Sequence, residues 1–143
     1  MGQATYEDAQ LVLRLYELRR EEKMRTAREW IAGSLSANTL EELNEQCPVG
    51  SVENAYFRMV TSYWEMAASF VTQGILNEGS YIKASGEGLF VWIKISSFVE
   101  ELRTAFKNPM FLKNLEILAG KQIAFMEENA PGAYEAFKAR VES

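Results

Sequence analysis

Residues 51–76 read SVENAYFRMVTSYWEMAASFVTQGIL, a run whose apolar residues are too many and too widely spread for a surface element. At about 100° per residue, Asn54, Arg58, Thr61, Ser62, Glu65, Ser69 and Thr72 gather into one polar stripe roughly 100° wide, and apolar or aromatic side chains fill the rest of the circumference. A helix that is apolar on most sides is buried by several neighbours. Ser51 suits an N-cap and Glu53 the positive first turn, while Gly74 followed by Ile75 and Leu76 suits a left-handed C-cap with a hydrophobic clasp. The expectation is a central helix over about 52–73 with the other segments wrapped around it, in which Trp64→Ala would cost about 3–5 kcal/mol.

Upstream, Thr5 with Asp8 three residues on has the form of a capping box, and a helical pattern runs from there to about Gly33 without a break. Ala9, Val12, Leu13, Tyr16, Met24, Ala27, Trp30 and Ile31 share one direction to within about 60°, which predicts that this face packs on the central helix. The charged residues between them alternate in sign, as on a solvated face with weak ion pairs. Leu11, Leu15 and Leu18 follow i, i+4, i+7 on the roughly opposite side and need cover, from another helix of the chain or from a partner chain. Burying three leucines is worth roughly 5–9 kcal/mol, comparable with the ~4–15 kcal/mol cost of association. A tight dimer would therefore need further surface, around Tyr6 or from the C-terminal segment.

Thr39 with Glu41 and Glu42 starts a short helix to about Gln46, ended by Cys47-Pro48-Val49-Gly50. Residues 77–88 hold three glycines around a short helical turn at 80–83. Residues 89–106 begin with a strand-like alternation, but Phe98, Val99, Leu102 and Phe106 continue at helical spacing, with Glu100, Glu101 and Arg103 off that face, so the segment is predicted helical. Asn108-Pro109 reads as a cap and first helical position opening a helix to about Glu128, and after Pro131-Gly132 residues 133–141 form a short closing helix. The whole chain, 1–143, is expected to be one all-α domain, a bundle of four long and two or three short helices.

Function is constrained mainly by exclusion. Twenty acidic against fifteen basic residues give a net charge of −5, the wrong sign for a domain whose affinity comes from phosphate neutralisation, so nucleic acid is not an expected partner. The longest uncharged run, 66–77, has twelve residues, short of the ~20 a bilayer crossing needs, and no membrane insertion is expected. The opening carries no basic-then-apolar signal, and Tyr6 stands where a myristoylation motif wants Ser or Thr. A lone cysteine, Cys47, forms no internal disulfide, which fits a cytoplasmic chain. Without histidine, nucleophile pairs built on it, His/Cys zinc sites and the Glu-x-x-His di-iron bundle are out of reach, and Cys47 has no histidine to deprotonate it. No phosphate-binding glycine loop is present, since Gly86-Glu87-Gly88 lacks the third glycine and a preceding strand. No cofactor, metal or catalytic residue is expected.

Two residues stand out on the polar stripe. Arg58 and Glu65 lie two turns apart, and if the stripe lines a cleft they are candidates to hold a small polar ligand, with Arg58 as an anion clamp; facing water or a charged neighbour, they only solubilise or tether the helix. The central segment Tyr-Phe-Arg-Met-x-x-Ser-Tyr-Trp-Glu (56–65), together with the Asn-Pro turn before the last long helix, resembles the small uncharacterised helical families of bacterial genomes. That resemblance rests on packing motifs and carries over no activity. The leading expectation is a non-enzymatic cytoplasmic module acting through protein contacts, self-association through Leu11, Leu15 and Leu18 above all. The alternative is a small-molecule-binding bundle using the stripe of Arg58 and Glu65.

Overall fold

In the computed structural model, which describes residues 2–143, the central segment is helix α4 (Val52–Thr72). Ser51 Oγ accepts the Asn54 N–H at 3.0 Å and caps the first turn. At the other end Gly74 takes φ +80°, its N–H reaches Val71 O, and the Ile75 N–H reaches Phe70 O. Those two bonds are a Schellman closure. Its clasp is Leu76, which is buried, whereas Ile75 stays exposed. Thr61, assigned to the polar stripe, is also buried; its hydroxyl donates to Phe57 O at 2.8 Å, so no polar group is stranded.

Among the described residues there are eight helices and no strand. The others are α1 (Tyr6–Leu18), α2 (Glu22–Gly33), α3 (Leu40–Gln46), α5 (Glu78–Ala84), α6 (Glu87–Phe106), α7 (Lys113–Asn129) and α8 (Ala133–Glu142). Helix α4 packs chiefly on α2 and α7, α6 on α7 and α8, and α1 on α5. Val60, Trp64 and Ala67 of α4 meet Ile31 of α2, Phe98 and Val99 of α6, and Leu115 and Leu118 of α7 in one hydrophobic core. The fold is all-α, as expected. The strand-like start of α6 is helical because both faces of that stretch find apolar cover: Leu89, Val91 and Ile95 are buried, with Trp92 packed against the core.

The first helix departs from expectation. It divides at Arg19–Glu21, where Arg19 ends α1 and Glu21 opens α2 by accepting the Met24 N–H at 3.0 Å. The break resets the helical phase, and α1 buries a face about a third of a turn from the predicted one. Asp8 and Leu15 point inward, with Leu11 packed against the core, while Leu13 and Tyr16 are 61% and 44% exposed. In α2 the predicted face holds: Met24, Ala27 and Ile31 are buried.

The start of α7 is also displaced. Asn108 and Pro109 do not open it; residues 108–112 form a turn and the helix begins at Lys113, after Leu112 in the left-handed region at φ +56°. Burial of Leu112 under α4 and α6 over-rides the propensity of the Asn-Pro pair. Between α4 and α6 the helical turn expected at 80–83 extends to the full α5.

Candidate functional site

Cys47 caps α3, and Gly50 at φ +91° turns the chain sharply into α4. Lys107 ends α6 at φ +53°, and the 108–112 turn folds back so that Phe111 meets the Phe106 ring edge-on at 5.1 Å. Together α3, α4, the end of α6 and this turn enclose a groove of about 1040 Å³. Its apolar wall includes buried Leu43, Phe57, Leu102 and Leu112, and its rim carries Val49 and Phe106, which are 92% and 56% exposed. Buried Arg103, predicted off the packed face, anchors the turn: Nε donates to Phe111 O at 2.7 Å, Nη1 to Glu100 Oε1 at 2.5 Å, and Nη2 lies 3.1 Å from Glu116 Oε1.

Arg58 and Glu65 both line this groove, but their circumstances differ. Glu65 is engaged: Oε1 accepts the Leu115 N–H at 2.8 Å, and Oε2 accepts the Asn114 side-chain amide at 2.9 Å and its backbone N–H at 3.4 Å. It thereby caps α7, whose own N-cap position holds Leu112, a residue with no hydrogen-bonding side chain. Arg58 is exposed, and its Nε donates to Asn54 Oδ1 at 3.1 Å. Asn54 is itself held by Cys47 O at 3.4 Å, a link absent from the sequence reading because it joins the end of α3 to α4 across a turn. Among the described residues Arg58 has no acidic partner within ion-pair distance.

The leucine stripe is split by the fold. Leu15 is 6% exposed and its carbonyl accepts the Tyr63 hydroxyl, Leu11 is partly covered by the core, and Leu18 remains 41% exposed. The outward face of α1 instead presents Tyr6, Leu13 and Tyr16. Beneath α1 lies a second, smaller cavity of about 300 Å³ walled by Val12, Leu15, Tyr63, Trp64 and Tyr81, and burial pushes the Tyr63 phenol up to about 12. Cys47 is buried and its thiol donates to Leu43 O at 3.2 Å; burial, then the Glu53 carboxylate, push its pKa up and keep it protonated. Arg28 holds Glu87 through both carboxylate oxygens at 2.5 and 2.6 Å, and Arg19 adds a contact at 3.3 Å, which ties α1 and α2 to the start of α6. No group of three or more His, Cys, Asp or Glu able to hold a metal occurs among the described residues, and no helix there is long and apolar enough to cross a membrane.

A domain-family model, described as a domain of unknown function, DUF4760, matches residues 4–122. The chain belongs to the DUF4760 family. The DUF4760 match runs from α1 into α7 and takes in every residue lining the groove, leaving α8 outside it. No curated protein and no solved structure matches the chain.

Proposed function

We propose that this DUF4760 chain is a non-enzymatic small-molecule-binding bundle whose ligand lies along the polar edge of α4 and against the apolar wall of the groove. The observation that carries this reading is the groove itself: about 1040 Å³, apolar for most of its lining, with a few polar groups set along one side. Sites for small molecules are concave, mostly apolar and of roughly 300–1000 Å³. Asn54, Arg58 and Ser62 supply the polar edge, while Phe57, Leu102 and Phe106 face an apolar body. In the cytoplasm Cys47 would stay reduced at the floor of the site. A neutral environment-sensitive dye such as Nile red tests it: the wild-type chain should bind the dye with enhanced emission, and Ala105→Trp or Ser62→Trp, which fill the groove from exposed positions, should abolish binding with the fold intact by circular dichroism. Unchanged dye binding in both variants removes the reading.

A second reading, contact with protein, is favoured by the outer face of α1. Tyr6, Leu13 and Tyr16 are all exposed there, and large apolar side chains grouped on one helix face suit an interface. Self-association through that face, rather than through Leu15, is the form it would take. Light scattering at micromolar concentration should then give a dimer that Leu13→Glu dissociates; a monomer at all concentrations removes it.

A further inference from the structure

The groove described above has an uncompensated positive charge at its edge. Its lining contains two ionised side chains, Arg58 and Glu65. Both oxygens of Glu65 are occupied by donors at the start of α7, so that carboxylate is already matched by backbone amides and the positive end of a helix. Arg58 has no such match. One guanidinium nitrogen is held by Asn54, which is fixed in turn by the Cys47 carbonyl, and among the described residues Nη1 and Nη2 have no protein acceptor. A guanidinium fixed at Nε with its two terminal nitrogens open offers the paired donors that a planar oxyanion takes up two at a time. Arg58 is the one basic residue in the lining, so the positive charge at this groove is a local feature and not part of a basic cluster along it.

We infer that the groove binds a free, monomeric amphiphile with an unbranched apolar body and a terminal carboxylate, the carboxylate paired with Arg58 and the body lying over Phe57 and Leu102. This inference rests on the groove reading and adds the chemical class of the ligand. From Asn54 to Glu65 the wall of α4 is about 16 Å long at 1.5 Å per residue, enough for a medium-length acyl chain. An anionic bilayer is a poor alternative source, because the net negative charge of the chain opposes approach to such a surface.

Calorimetric titration with decanoate and with decanol at pH 8 tests the inference, using the full chain and its Arg58→Gln and Arg58→Lys variants. Arg58 is exposed and among the described residues its side chain bonds to Asn54 alone, so neither substitution disturbs the core. The wild-type chain should bind decanoate at least about tenfold more tightly than decanol, the size of one charge-assisted contact. Arg58→Gln should bring the ratio of decanoate to decanol affinity close to one, and Arg58→Lys should keep part of the preference. Equal affinity for acid and alcohol in the wild-type chain would overturn the carboxylate assignment and leave the groove reading standing. Absence of binding by either ligand, together with absence of Nile red binding, would overturn both. Co-flotation with phosphatidylglycerol vesicles in a chain that ignores free decanoate would likewise overturn the assignment of a free amphiphile.

Discussion

Leu115 gives its backbone N–H to the Glu65 carboxylate at 2.8 Å, so the central helix supplies the cap that α7 has no side chain of its own to make. The same carboxylate takes the Asn114 side chain, and Asn114 Oδ1 accepts the Thr72 hydroxyl at 2.6 Å, so α4 and α7 are stitched along two turns. This link fixes where α7 starts and thereby closes the groove at its Glu65 end.

Removing that cap should be costly for a residue only partly buried. Glu65→Ala is expected to destabilise the chain by about 2 kcal/mol, from the lost cap and its charge-assisted bonds, and Glu65→Gln by about half as much. Urea denaturation followed by circular dichroism measures both. A midpoint for Glu65→Ala equal to that of the wild-type chain would show that α7 is capped by solvent just as well.

Gly88 sits where α6 passes closest to two buried rings. A Cβ there would lie 2.7 Å from the Tyr81 hydroxyl oxygen and 3.2 Å from Trp64 Cε3. Both side chains are 2% exposed, and the Tyr81 hydroxyl would have to shift toward the cavity beneath α1 to make way. Gly88→Ala should cost about 1–3 kcal/mol through overpacking. Tyr81→Phe removes the atom in closest contact, so Gly88→Ala should be markedly less damaging in that background, with a coupling a double-mutant cycle reads directly. Additive effects would place the strain elsewhere.

Asp8 links stability to acid pH. Its Oδ1 accepts the Asn77 N–H at 2.8 Å and its Oδ2 the Thr5 N–H at 2.8 Å, and these backbone bonds, Asn77 first, hold its carboxyl below the ordinary range despite some desolvation. A carboxyl depressed in the folded state stabilises fully above its ordinary range, and that contribution is lost as pH falls through the lower folded value. Thermal midpoints of wild-type and Asp8→Asn chains should therefore be separated by a constant gap near neutrality and converge as acid is added. A gap that is the same at every pH would mean that ionisation of Asp8 contributes nothing.

Cys47 should be a poor nucleophile in the folded chain. With its thiol buried, donating to Leu43 O and held protonated, reaction with Ellman's reagent at neutral pH should be at least about tenfold slower than in urea, because access requires local opening. Decanoate in the groove that Cys47 lines should slow it further. A native rate equal to the unfolded rate would contradict the burial of this residue.

Much of the helical framework was legible before the structure. The Ser51 cap, the Gly74 closure and the Thr5–Asp8 capping box all formed as read, because each depends on bonds among residues three to five apart. The break at Arg19–Glu21 was not legible: no glycine, proline or short polar cap marks it, and Glu21 serves as the cap through its side chain. That one omission misplaced Leu15, because continuing the phase of α2 back through the break rotates every assignment in α1. Arg58 and Glu65 could be singled out on the polar edge of α4, yet Glu65's use as a cap for α7 spans some fifty residues of chain and leaves no local pattern.

By itself the order of residues determined that the chain is predominantly helical, that residues 52–72 form a helix apolar around most of its circumference, and that chemistry requiring histidine is absent. These follow from hydrophobic period, end caps and composition, which act over one or two turns or over no distance at all. Only the tertiary structure decided which face of α1 turns inward, that the 108–112 turn closes a groove beside α4, and that Arg58 is left open while Glu65 is engaged. Each of those depends on groups brought together from distant parts of the chain, where packing and unsatisfied backbone bonds outweigh the preference of any single segment.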